Sequence, residues 1–141
     1  MQILINNIKI IGIFIAISLI SIPILTVLWN IAENNGKFAF TCIITILFTV
    51  FTMVLYFLAG RFLVKGTGVL IYDVISLFAI IIIIFVGFIL IPEKAIFFTY
   101  PHLLFIIIFN NQIVGTIISV AISLLTLLIG IITKSGIKRI I

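Results

Sequence analysis

Carboxylates are nearly missing from this chain. Glu33, Asp73 and Glu93 are the only three among 141 residues. General acid–base work needs two groups within hydrogen-bond reach, and acids this scattered offer no pair. A paired-aspartate intramembrane protease is excluded, because there is one aspartate. Histidine is rarer still: His102 stands by itself, and with Glu33 and Glu93 it matches no metal-ligand spacing. Cys42 is the only cysteine, so no intrachain disulfide can form. It sits in an apolar run and reads as a buried thiol packing like a small hydrophobe. The preceding Ala39-Phe40-Thr41 lacks the small-residue pattern of a lipid-modification box. Lys65-Gly66-Thr67-Gly68 is a glycine turn, too short for a phosphate loop. No cofactor is expected, and no enzyme.

Charge of either sign is scarce too, at 8% of residues, while 65% are apolar. A soluble domain has about 25% charged residues and about 45–50% apolar ones. Without polar surface to offer water, a chain this size needs another solvent. The net charge of +5 does not point to nucleic acid. Its cations sit singly or in twos at segment ends, where anionic lipid headgroups meet them.

What the chain has is long apolar runs. About 20 apolar residues in a helix cross a ~30 Å hydrocarbon core, and four segments qualify: 8–29, 38–59, 69–91 and 113–133. Isoleucine runs such as 80–84 would suit a strand in water, but in lipid a lone strand leaves its backbone groups unpaired. The first segment is not a secretory signal. Its uncharged stretch over 10–32 has 23 residues, whereas a signal core has about 7–15 followed by a small-x-small site. The fold expected is an all-α integral membrane protein with four transmembrane helices in one polytopic domain. The isoleucine-rich composition fits an A/T-rich genome and a bacterial source.

Short turns join spans one and two (Glu33-Asn34-Asn35-Gly36-Lys37) and spans two and three (Lys65-Gly66-Thr67-Gly68). The segment 92–112 is different. Within it, 95–109 is apolar but only 15 residues long, or about 22 Å of helix, and Pro101 interrupts it. It reads as a hydrophobic outer hairpin or re-entrant element; a fifth span is the alternative. Charge decides between them. With four spans, Lys9, Arg61, Lys65, Lys134, Lys138 and Arg139 share one side, and Lys37 and Lys94 take the other. Basic residues flank cytoplasmic helix ends, so four spans with both termini cytoplasmic, in a cell membrane, are expected. Asn110-Asn111-Gln112 makes a polar turn before span four. Trp29, Tyr56, Tyr72 and Tyr100 read as interfacial anchors.

Polar residues inside the spans fall on faces. Thr41, Thr45, Thr49, Thr52 and Tyr56 line one face of span two. Gly115, Ser119 and Ser123, continued by Thr126 and Gly130, line one face of span four. Gly12, Ala16, Ser18 and Ser21 cluster in span one. Small residues let helices approach closely, and hydroxyls bond across contacts; threonines also bond back to their own helix, which weakens the case for a pore. Pro23 should kink span one. Asp73, at the start of span three, is placed to cap free amides and to meet the helix dipole, or to pair with Arg61 or Lys65. Asp73, Arg61 and His102 are the candidate functional polar residues. Asp73 and His102 should lie on opposite faces, about 30 Å apart across span three, so they cannot share a proton.

Two functions fit. One is a small multi-pass protein that binds another membrane component, as an accessory subunit, an assembly factor or an immunity-type protein, without catalysis. Its partners are the lipid bilayer and another membrane protein or a second copy. The other is an oligomeric small transporter, flippase or holin-like channel. Four spans are too few for a pathway in one copy, and the first span carries no acid on which to couple an ion.

Overall fold

A computed structural model of the chain describes residues 1–34, 36, 38–90, 108 and 110–141. Among the described residues are four helices and no strand beyond one isolated bridge. The helices are α1 (Gln2–Asn34), α2 (Phe38–Leu63), α3 (Leu70–Leu90) and α4 (Gln112–Ser135). All four are long and apolar enough to cross a membrane, and the chain is the all-helical membrane protein its hydropathy predicts. The expected outer segment over 92–112, the choice of a fifth span over 95–109, and His102 lie outside the described residues, apart from positions 108 and 110–112.

The surface identifies the solvent. Leu19, Val27, Leu47, Val50, Phe78, Ile82, Phe85 and Ile89 are all exposed, an apolar exterior that water does not tolerate at this extent. The interior holds Ser18, Ser21, Thr45, Thr49, Thr52, Ser76, Thr116, Ser119 and Ser123. Hydroxyls inside and hydrocarbon outside is the distribution of a bundle built for lipid, where small and polar residues gather at helix contacts.

Helices α2 and α4 pack most extensively. α1 lies against α2 and α3, and α3 meets α4 little. The close approach of α2 and α4 rests on glycine. A Cβ on Gly60 would run into the Leu127 carbonyl, and one on Gly130 into the Phe57 carbonyl. Around this contact the core is filled by Ile10 and Phe14 from α1, Tyr56 from α2, Leu77 and Ile80 from α3, and Leu124, Leu127 and Ile131 from α4. Toward the far end α3 and α4 diverge, leaving an apolar recess of about 560 Å³ between Phe85, Ile89, Ile113 and Ile117.

The helix ends follow local chemistry. Asn110 takes a left-handed φ of 47°, a conformation asparagine tolerates better than most residues. Asn111 then caps α4, its side-chain oxygen accepting from the amides of Ile113 and Val114. The polar turn expected at 110–112 therefore starts the helix. At the other end Gly136, with φ 69°, stops α4 and donates its amide to the Ile132 carbonyl.

One expectation needs correction. α1 has 33 residues, about 50 Å of helix, and contains the span expected at 8–29; its first turns pack on the turn between α2 and α3. Tyr56 is not an interfacial anchor. It is 0% exposed and sits in the bundle core, its ring centroid 5.7 Å from that of Phe14. α1 remains helical through Pro23.

Candidate functional site

Polar chemistry concentrates at one end of the bundle, where the start of α1, the turn 64–69 and the end of α4 meet. Helices running in lipid leave backbone groups at their ends that need partners, and here other segments supply them. Asn6 on α1, 1% exposed, donates to the Lys65 carbonyl at 2.9 Å and accepts from the Gln2 side chain at 3.0 Å. Lys9, one turn on, reaches the Leu63 carbonyl at 3.4 Å. The C-terminal end of α2 is thus closed by two side chains of α1, one of them a cation suited to the negative end of the helix dipole.

The start of α3 is closed differently. Asp73, 2% exposed, accepts from the Thr67 amide at 2.9 Å and the Thr67 hydroxyl at 2.8 Å. The same hydroxyl accepts from the Val69 amide at 3.3 Å. Gly68, at φ 78°, allows the turn between them. The next amides go to the segment after α4: Leu70 donates to the Arg139 carbonyl at 3.0 Å and Ile71 to the Ile140 carbonyl at 3.2 Å. In return Lys138 and Arg139 donate their amides to the Gly68 carbonyl. A short parallel bridge, Val69 to Arg139, therefore caps a helix with backbone from a distant segment.

Of the three candidate residues, Asp73 is tied into this end and takes its hydrogen bonds from Thr67. Arg61 is exposed at the end of α2, its guanidinium 6.0 Å from the Phe62 ring centroid. Lys134 of α4 approaches the same ring at 5.9 Å. The structure brings Arg61 and Asp73 to the same end of the bundle without an ion pair between them. His102 lies outside the described residues.

The second polar feature is the hydroxyl seam through the bundle. On α2, Thr45 donates to the Thr41 carbonyl, Thr49 to the Thr45 carbonyl and Thr52 to the Thr49 carbonyl, each at 2.8 Å. On α4, Ser123 donates to the Ser119 carbonyl at 2.9 Å and Thr126 to the Ser123 carbonyl at 2.8 Å. Trp29 crosses from α1 to donate to the Thr45 hydroxyl at 3.2 Å. The hydroxyls of Ser18 and Ser123 face that of Tyr56. Ser21 and Ser119 hold buried hydroxyls without a hydrogen-bond partner. Chemically the seam is a set of neutral donors and acceptors mostly closed on their own helices. No group of three or more His, Cys, Asp or Glu is placed to hold a metal among the described residues.

Sequence reasoning missed Asn6 and the segment after Ser135. The signal for Asn6 was its four-residue spacing from Gln2, which puts two amides on one helix face. The tail carried no signal beyond its charge.

No protein-family model, curated protein or solved structure matches this chain.

Proposed function

We propose that this chain is a small multi-pass protein of a cell membrane, with both termini cytoplasmic, that acts by binding another membrane component and performs no catalysis. An accessory subunit, an assembly factor and an immunity-type protein all work in this way. One observation carries the reading: the hydroxyl stripe of α2, the most pore-like feature of the sequence, has its Thr45, Thr49 and Thr52 donors directed at carbonyls of its own helix. A conducting path needs polar groups turned toward an opening, whereas Thr45, Thr49 and Thr52 are buried inside the bundle. Asp73, in the first turn of α3, is occupied by Thr67 and is not presented to a solute. What the molecule presents outward is apolar helix face, the surface that recognises lipid-embedded partners.

Crosslinking in native membranes, followed by affinity purification through a tag placed beyond Ile141, tests this. The expected result is one membrane partner recovered in fixed proportion. Recovery of homo-oligomers alone, together with ion or solute leakage from vesicles holding the purified protein, overturns the reading in favour of an oligomeric transporter or channel.

A further inference from the structure

The end of the bundle that carries Asn6 and Asp73 also opens sideways. Between α1 and α2 runs a groove of about 760 Å³, walled by Ile13, Ile17, Ile20, Leu55 and Leu58. Its floor is low because Gly12, Ala16 and Ala59 supply no bulk, and a Cβ added at Gly12 would meet nothing within 4 Å. Lys9 and Phe62 stand at its mouth. From Lys9 to Ile20 the α1 wall rises about 16 Å, close to the ~15 Å depth of one leaflet of a ~30 Å core. The groove is therefore one acyl chain deep, apolar along its length, and cationic at the single end where a headgroup would sit.

The charge there is unmatched. Lys9 touches only the Leu63 carbonyl, at a long 3.4 Å. Arg61 and Lys134 flank the Phe62 ring at 6.0 and 5.9 Å. None of these three cations is paired with a carboxylate among the described residues. Asp73, the carboxylate at this end, already accepts two hydrogen bonds from Thr67.

We infer that the α1–α2 groove is a binding site for an anionic phospholipid, with one acyl chain along Gly12, Ala16 and Ala59 and its phosphate at Lys9. The inference does not depend on the proposed function; a protein partner is neither needed nor excluded by it. A second copy packing through Gly12 and Ala16 is the rival occupant, and it is disfavoured because helix-to-helix contact through small residues would bring Lys9 of one copy toward Lys9 of the other.

The test is native mass spectrometry of the full chain released from nanodiscs containing equal phosphatidylglycerol and phosphatidylcholine. Wild type should retain phosphatidylglycerol in preference. Lys9→Gln should lower that preference about fivefold, the effect of one cation near an anionic headgroup. Gly12→Leu, which fills the floor without touching charge, should abolish retention of either lipid while the protein stays monodisperse. Equal retention of both lipids by wild type overturns the inference, as does unchanged preference in Lys9→Gln. A lipid-free dimer that Gly12→Leu converts to monomer assigns the groove to the second copy instead. Should Gly12→Leu fail to fold, Ala16→Leu addresses the same floor one turn deeper.

Discussion

Gly60 and Gly130 hold α2 and α4 together reciprocally: each lies against a backbone carbonyl of the other helix, Gly60 on Leu127 and Gly130 on Phe57. Neither carbonyl can step aside as a flexible side chain would. Gly130→Val should therefore destabilise the bundle by about 1–3 kcal/mol, the range for overpacking a fitted contact, and Gly60→Val likewise. Gly87, whose added Cβ would meet nothing, provides the control: Gly87→Ala should be neutral or gain up to about 1 kcal/mol of helix propensity. Unfolding by SDS titration in mixed micelles reads all three. Equal effects at positions 87 and 130 would contradict the close approach.

Asp73 and Thr67 make a second coupled pair. Hydrogen bonds to charged groups contribute about 1.5–3 kcal/mol. Asp73→Ala should cost that much and reduce membrane yield. Asp73→Asn keeps an accepting oxygen for the Thr67 amide and should cost less. A double-mutant cycle with Thr67→Val should show a coupling above about 0.5 kcal/mol. Additive losses would mean that the carboxylate serves something other than this turn. Normal yield of Asp73→Asn with a lost cellular phenotype would point the same way.

The hydroxyls of the seam differ in what they support. Thr49 donates within its own helix, so Thr49→Val should change stability by less than about 1 kcal/mol, near the modest average for such bonds in membranes. Ser21 and Ser119 are buried without partners. Removing an unsatisfied group relieves its desolvation cost, and Ser21→Ala and Ser119→Ala should be neutral or stabilising by about 1 kcal/mol. Losses above about 2 kcal/mol at Ser21 or Ser119 would show that these hydroxyls hold something, water or solute, that the stability of the bundle requires.

The proposed topology, with both termini cytoplasmic, sets the sidedness to be tested. In a Cys42→Ser background, Lys65→Cys and Lys138→Cys lie at one end of the bundle, and Glu33→Cys at the other. An impermeant maleimide added to right-side-out vesicles should label Glu33→Cys and spare the other two, while inverted vesicles should give the reverse. Labelling of all three from one side would rule out α1 and α2 as crossing helices.

The four spans were legible because lipid demands length and apolarity, and those properties are written residue by residue in 8–29, 38–59, 69–91 and 113–133. Residues 110–112 were legible as a turn for the same local reason, since asparagine suits both the left-handed conformation and a helix cap. Asp73 was readable as a helix-start acid, but Thr67 as its partner was not, because the loop geometry that turns its amide inward depends on Gly68. Tyr56 was misread: a phenol near a helix end fits the interface by composition, and only the packing of Phe14 and Leu127 around it reveals a core position. The small residues of α1 look like one cluster in sequence. In the structure they divide, Ser18 and Ser21 facing the bundle and Gly12 and Ala16 facing out; helical periodicity puts the two pairs on different faces, but which face meets the neighbouring helices is set only by where those helices lie.

Leu70 and Ile71 complete their hydrogen bonds only with carbonyls that follow α4. A chain threading into the bilayer in order thus carries an unfinished helix start until the fourth crossing has been made, and those amides must stay wet at the headgroup level in the meantime. Assembly is consequently directional. The first three helices can insert and pack, but the third is locked at its base by the last, so that any event that pulls the segment 137–141 away reopens a turn on the opposite side of the sequence.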